Sequence, residues 1–450
     1  DHGLQSQTIF NAYQPPDNYP FSHVWTALGF GVARIDFTGP LRSFTEESGY
    51  QGLIHCIEDL NGRLYIGTTN GIYSYDVENH VAGFEKIGED IQRNVWDFSK
   101  FTLQGGEQIL LAIGEDGLYQ VHADGRVVDI SELMAGDIEE EDKTFWGYKV
   151  ITDPHQPNQV YIGRESSLVA LVNEGNYWRQ VFFVAEMGSD IRSLAKLSQD
   201  TLWFSATLDG VGYITPLDTR AKKYYLEDRS GLPEKFDNHI YTIGSRLLVG
   251  TTNGIYTRSD VTDSVMFSPD TLLNSYLPDS INKVLNIYKD HANALWISFE
   301  NNNEDWMVTQ LIPRDDGNYQ PITRPFQALH NFSTDAFHST DTGGTWFTVS
   351  SMLYHYNRSG EFREGTFNAL LRKVTVITSD SSSVYYYGAH PRPVENDQYR
   401  ISDQQSLDLV PSLPHKQKNI EFRWSAPYSP HAEETEYSYR LEGFAENWYK

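Results

Sequence analysis

Short apolar runs alternate with Gly-, Asn- and Asp-rich punctuation along most of the chain. The runs are rich in Val, Ile, Leu, Tyr and Trp, and none keeps a helical period over a long window, so they predict strands. One heptapeptide occurs twice, as Gly67-Thr68-Thr69-Asn70-Gly71-Ile72-Tyr73 and as Gly250-Thr251-Thr252-Asn253-Gly254-Ile255-Tyr256. In each copy Asn-Gly predicts a tight hairpin turn, with positive φ supplied by these two residues. The strand after the turn recurs as Gly31–Asp36, Gly71–Asp76, Gly117–Val121, Ser167–Leu171, Gly210–Ile214, Gly254–Thr257, Trp306–Leu311 and Ser351–Tyr356. A second strand precedes it in most copies, as in Gln108–Gly114, Thr201–Ser205 and Ala294–Ser298, and a first strand precedes that, as in Ile54–Glu58 and Val284–Tyr288.

With a less regular fourth strand, each unit is a four-stranded sheet, and successive units lie roughly 40 to 52 residues apart. A lone sheet of this size buries too little, whereas a ring of such sheets covers both faces of each. The pattern therefore predicts an all-β chain built on a β-propeller, with seven blades preferred and eight as the other count. Residues 1–48 are expected to end a preceding propeller or to form an extra blade, and residues 49–365 to form the ring. From 366 to 450 the rhythm changes to strands such as Leu370–Ile377, Asn419–Ser425 and Glu436–Phe444. Their alternation predicts a second, β-sandwich domain, cut before its last strands.

Composition supports this picture. Aromatic residues make up 14% of the 450 residues, including 28 tyrosines, as strand-rich chains do. The formal net charge of −26 argues against binding nucleic acid or lying on an anionic membrane. The one cysteine, Cys56, excludes an intrachain disulfide and reads as a small buried apolar residue. The sequons at Asn331 and Asn357 read as accidental matches. No run is apolar and long enough to span a membrane, and no signal peptide is visible, so the reading is a soluble fragment or mature ectodomain.

The unit Ile57-Glu58-Asp59-Leu60-Asn61-Gly62-Arg63-Leu64-Tyr65-Ile66-Gly67-Thr68, followed by Asn70-Gly71-Ile72-Tyr73, resembles the two-component regulator propeller repeat. The terminal stretch Tyr437, Tyr439-Arg440-Leu441-Glu442-Gly443-Phe444, Glu446-Asn447-Trp448 resembles the three-tyrosine (Y_Y_Y) domain that follows such propellers. The two resemblances cover nearly the whole chain. The unit at 150–172 departs from the pattern, with Glu165-Ser166-Ser167 in place of the glycine turn, and the unit at 284–311 carries Glu300–Asp305 as an insertion. The resemblance implies the periplasmic sensor region of a hybrid histidine kinase-like protein. It also implies a membrane helix and an output, a histidine kinase or diguanylate cyclase, outside this chain, and a homodimer. Many relatives sense oligosaccharides, and Tyr437 and Tyr439 would serve either core packing or a dimer contact.

Catalytic and metal signatures are missing from the sequence: there is no His-Glu-x-x-His, Gly-x-Ser-x-Gly, phosphate loop or cysteine pair. His291, His330, His338 and His355 read as loop or strand residues, and Asp137–Asp142 as a solvated acidic loop. No cofactor and no metal are expected. In a propeller the innermost strands line an axial funnel, and their first residues are its candidate lining. These are Arg93, Asn94 and Trp96, then Trp146 and Tyr148, then Arg192, His239 and Lys283. Aromatic faces beside amides and cations suit a sugar, whose ring is apolar on its CH face and polar at its hydroxyls. The same Trp and Tyr could instead wedge between blades. The expected function is a ligand-sensing ectodomain that recognises an oligosaccharide or similar small polar ligand and signals through a dimer. The alternatives are a propeller carbohydrate hydrolase or lyase, for which Asp190 and Asp237 supply no convincing pair, and a passive interaction scaffold.

Overall fold

The structure is a computed structural model. It describes residues 8–13, 23–36, 40–77, 83–134, 146–175, 177–226, 230–259, 265–278, 281–329, 333–340, 344–357, 369–377, 382–387, 391–394, 398–401, 419–425, 437–443 and 447–449. The acidic run 137–142, His330, Asn331, residues 379–381 and the part of the terminal motif at 444–446 lie outside them. The chain divides into two compact units, one of residues 1–12 and 26–362 and one of residues 13–25 and 363–450.

The first unit holds seven four-stranded sheets among the described residues. Their innermost strands are Ile54–Leu60, Val95–Thr102, Gly147–Thr152, Ile191–Ser198, His239–Ile243, Ile281–Lys289 and Phe337–Ser339, which define blades 1 to 7. In blades 1 to 6 the chain runs outward through four consecutive strands. In blade 7 the outer strand is Leu41–Phe44, paired antiparallel with Met352–Tyr356. The boundary expected at residue 48 is corrected by this pairing, since the last blade takes its fourth strand from the N-terminal side. Pairing the two ends of the ring removes the open edge that either end would otherwise expose. Gly31–Asp36 does not belong to a blade: Val32–Asp36 lies in a three-stranded sheet with Ile9–Tyr13 and His23–Leu28.

The ring is held at every seam. Each hydrophobic cluster lies between neighbouring blades, such as Ile57, Leu64 and Tyr73 of blade 1 with Trp346 and Leu353 of blade 7. Another joins Trp296 of blade 6 to Phe347, Val349 and Tyr356 of blade 7. Near the axis, side chains bond to the next inner strand. Cys56 Sγ donates to Val95 O at 3.6 Å, and Asp97 Oδ2 accepts from Val150 N at 3.0 Å. Lys196 pairs with Asp153 at 3.3 Å, and Ser193 Oγ accepts from Ile240 N at 3.0 Å. Tyr241 OH donates to Leu285 O at 2.6 Å, and Asn286 Nδ2 donates to Asp335 O at 2.8 Å. His338 of blade 7 reaches Asp59 of blade 1 at 2.7 Å and closes the circle. Inner strands diverge too much to share a ladder, so these side chains take over backbone groups that would be orphaned near the axis.

The turn chemistry differs in one point from the expectation. In Thr68–Gly71 the two turn residues are Thr69 and Asn70, and only Gly71 has positive φ, at 110°. Thr68 Oγ1 accepts from Asn70 N, and Thr251 Oγ1 accepts from Asn253 N, each at 3.0 Å. The heptapeptide threonine is thus a turn-forming acceptor. The two-residue Asn-Gly turn with both φ positive occurs instead at Asn61 and Gly62, between paired Leu60 and Arg63.

In the second unit Leu370–Ile377 lies between Ser382–Tyr387 and Asn419–Ser425, and Pro391–Val394 pairs with Gln398–Ile401. Tyr439 and Tyr449 exchange backbone hydrogen bonds at 2.8 and 2.9 Å. Trp424 lies 5.9 Å from the Tyr439 ring and 6.4 Å from Tyr437.

Candidate functional site: an axial funnel

A cavity of about 880 Å³ runs along the ring axis, lined by residues of all seven blades. Four consecutive inner strands deform at the same place. Ile54 pairs with Thr68 and Cys56 with Gly67, so His55 is an extra residue. Trp96 is extra between Val95 and Asp97, Tyr148 between Gly147 and Lys149, and Arg192 between Ile191 and Ser193. A bulge of this kind bends the strand and re-aims its side chain. All four side chains line the cavity.

There they meet. The His55 ring lies 4.2 Å from Trp96, and Trp96 lies 5.7 Å from Tyr148. The Arg192 guanidinium stands 4.5 Å from the centre of the Tyr148 ring and 5.4 Å from that of Trp96, a cation–π arrangement. Asp190 Oδ2 accepts from Arg192 Nη2 at 2.9 Å and from Nε at 3.3 Å, fixing one edge of the guanidinium. The Trp96 indole N–H is buried and has no hydrogen-bond partner in the protein. Burial, with Asp190 adding, pushes the Tyr148 hydroxyl up to about 12.

The other expected residues take different places. Asn94 lies beneath the cluster: its Oδ1 faces His55 Nε2 at 3.0 Å, and its Nδ2 donates to Glu115. His239, first residue of blade 5, lines the cavity and is held down at about 4 by burial, with Lys283 and Arg192 adding and Asp237 opposing. Lys283 pairs with Asp237 at 3.2 Å, and Arg93 with Asp116 at 3.3 Å; neither is among the lining side chains. Trp146 is half-buried and also outside the lining. Sequence reasoning missed His55, Asn286, Tyr241 and Asp335, all of which line the cavity.

No protein-family model matches this sequence, and no curated protein matches it. Among solved structures, the chain is similar over 99% of its length to the extracellular domain of the one-component system BT4673 from B. thetaiotaomicron. The identity is 13%, the TM-score 0.52, and the chain spans 57% of that structure's length. It is also similar to virginiamycin B lyase from Staphylococcus aureus (10% identity, TM-score 0.46, covering 70% of this chain and 98% of that one). YCF48 from Cyanidioschyzon merolae is a further neighbour (10% identity, TM-score 0.49, covering 71% and 99%). These are likenesses of fold. The chain is an all-β propeller protein.

The far end of the funnel has a different character. Lys100 Nζ lies 2.8 Å from Asp59 Oδ1 and 3.2 Å from Glu58 Oε1. His338, expected to be an ordinary strand residue, places Nε2 2.7 Å from Asp59 and Nδ1 3.2 Å from Glu58. Glu58, Asp59 and His338 have the donor atoms to hold a cation, but the Lys100 ammonium already stands against both carboxylates. Burial would raise Asp59, yet the hydrogen bonds from His338 and Lys100 outweigh it and hold it at about 2. This cluster ties blade 7 to blades 1 and 2. Cys56 is fully enclosed, and burial raises its thiol well above the usual range, which makes it a packing residue.

Proposed function

We propose that the chain is a periplasmic ligand-sensing ectodomain whose axial funnel binds a small polar ligand, an oligosaccharide in the first instance. The observation that carries this is the run of bulges that delivers His55, Trp96, Tyr148 and Arg192 from four successive blades to one point of the cavity. A strand gives up ladder hydrogen bonds at each bulge, and bulges concentrate where a side chain must be re-aimed for function. A fold likeness to an extracellular domain of a one-component system agrees with the reading. The finer parts rest on the resemblances of the repeat and of the terminal tyrosine stretch: a Y_Y_Y domain, a homodimer that transmits binding, and a kinase-type or other output beyond this chain. In this reading the chain binds its ligand and does not convert it.

The test is calorimetric titration of the chain with a panel of defined oligosaccharides, with product analysis of the same mixtures. One member binds, Trp96→Ala and Arg192→Ala each weaken it by about tenfold or more, and the sugar is recovered intact. Turnover of any panel member would replace the sensor reading with the enzymatic one. Binding that ignores both substitutions would move the site away from the funnel.

A further inference from the structure

We propose that His55 and Asp335, on either side of the seam where blade 7 closes on blade 1, recognise adjacent hydroxyl groups of a neutral sugar. The inference rests on the funnel being the ligand site and names what the ligand must offer there.

Both groups line the cavity. The Glu115 carboxylate takes the Nδ2 donor of Asn94, which turns Asn94 Oδ1 toward His55 Nε2. An amide oxygen can only accept, so His55 carries its hydrogen on Nε2, and Nδ1 of the neutral ring is a bare acceptor. Asp335 is placed by its backbone. Its N–H donates to Thr348 Oγ1 at 3.2 Å, and its carbonyl accepts from Asn286 Nδ2 at 2.8 Å. Its carboxyl receives a hydrogen bond from Ser333, and the titratable neighbour that bears on it is His55. Four other acids near this end each pair with a cation, Asp97 with Lys149, Asp190 with Arg192, Asp237 with Lys283 and Asp116 with Arg93, and Glu115 takes the Asn94 amide. Two acceptors on the inner edges of neighbouring blades and lining one cavity, one of them a carboxyl with no lysine or arginine partner, call for donors from the ligand. An alcohol pair supplies them, whereas a ligand carboxylate would face a carboxylate and a lone pair.

The groups facing His55 are Asp335 from blade 7, Arg192 from blade 4, and Asn94 and Glu115 from blade 2. Burial lowers His55 and raises Asp335. Protonation of His55 removes the Nδ1 acceptor, and protonation of Asp335 removes its charge and leaves one carbonyl acceptor. Sugar binding weakens as pH falls.

The experiment titrates the chain with cellotetraose, xylotetraose, mannotetraose and laminaritetraose, and with trigalacturonate, from about pH 7.5 to about pH 5. At least one neutral sugar binds, trigalacturonate binds at least tenfold more weakly, and Asp335→Asn and His55→Ala each cost about tenfold or more. Asp335→Asn keeps shape and size, so its melting temperature separates a binding loss from unfolding. If Trp96→Ala abolishes binding while Asp335→Asn does not alter it, or if trigalacturonate binds as tightly, this inference is wrong and the funnel reading stands. If none of these sugars binds at all, both fail.

Discussion

Gly114 lies in the second strand of blade 2, where a Cβ would come within 2.2 Å of Asn94 O. The glycine of the repeated Ile-Gly pattern thus serves the approach of a neighbouring inner strand and not a turn. Gly114→Ala pushes against the backbone beneath the ligand cluster. We expect a loss of about 1–3 kcal/mol in urea unfolding, together with weaker sugar binding, because Asn94 sets the His55 tautomer. The buried pair Lys196–Asp153 is a second sensitive point. Both side chains are enclosed, Asp153 also accepts from Tyr161 OH at 2.7 Å, and Lys196 Nζ donates to the carbonyls of Ser198 and Gln199 at 2.7 Å. Lys196→Met removes the cation and leaves a buried carboxylate, which costs about 3–5 kcal/mol. Chemical denaturation that shows less than about 1 kcal/mol would mean that water reaches Asp153.

The strand Leu41–Phe44 shows what one element contributes. It pairs with Met352–Tyr356, and the single Tyr50 O–H reaches Phe44 O at 2.7 Å, with Ser351 O also within 3.0 Å. Phe44 packs 5.3 Å from Trp346. Removing residues 1–45 takes away the outer strand of blade 7 and exposes Trp346. The shortened chain is expected to melt at a lower temperature and to be cleaved first in blade 7 under limited proteolysis; an unchanged melt would show that closure depends on the axial cluster alone. The inner strands, by contrast, draw their precision from bulges. A regular strand would point Trp96 toward a neighbouring blade, and the bulge turns it to the axis.

Acid acts on the ring as a whole. His239 is held at about 4 against an ordinary value near 6.5, so the unfolded chain binds that proton first. Its neutral form contributes stability above about pH 6.5 that is lost as pH falls toward 4. Asp59, held at about 2, contributes stability above its ordinary value that is lost only below it. Stability should therefore fall in two steps, and His239→Gln should flatten the first. Thermal melts from pH 7 to about pH 2 read this directly, and a first step that survives in the variant assigns it elsewhere. A ligand that binds the closed ring raises the melting temperature with concentration, by about 2.7 kcal/mol of stability at a hundredfold excess over Kd.

Much was legible in advance where the physics is local. The apolar runs specify strands, the repeated heptapeptide specifies a hairpin although its turn residues are Thr69 and Asn70 and not the expected Asn-Gly, and the recurrence specifies a propeller, because each four-stranded unit must find neighbours to cover its faces. Trp96, Tyr148, Arg192 and His239 stand at or near the start of predicted inner strands, and in the structure they line the axial cavity. Their common orientation was not, since a bulge depends on how the strand fits its partner and leaves no mark in side-chain period. His55 and Asp335 were invisible for a related reason: they are distant in sequence and become neighbours only when blade 7 meets blade 1. The pairing of Leu41–Phe44 with blade 7 is the same kind of fact. Local hydrogen bonding and side-chain alternation are written along the chain, whereas ring closure, and the juxtaposition of charges it creates, is set by packing among all seven sheets at once.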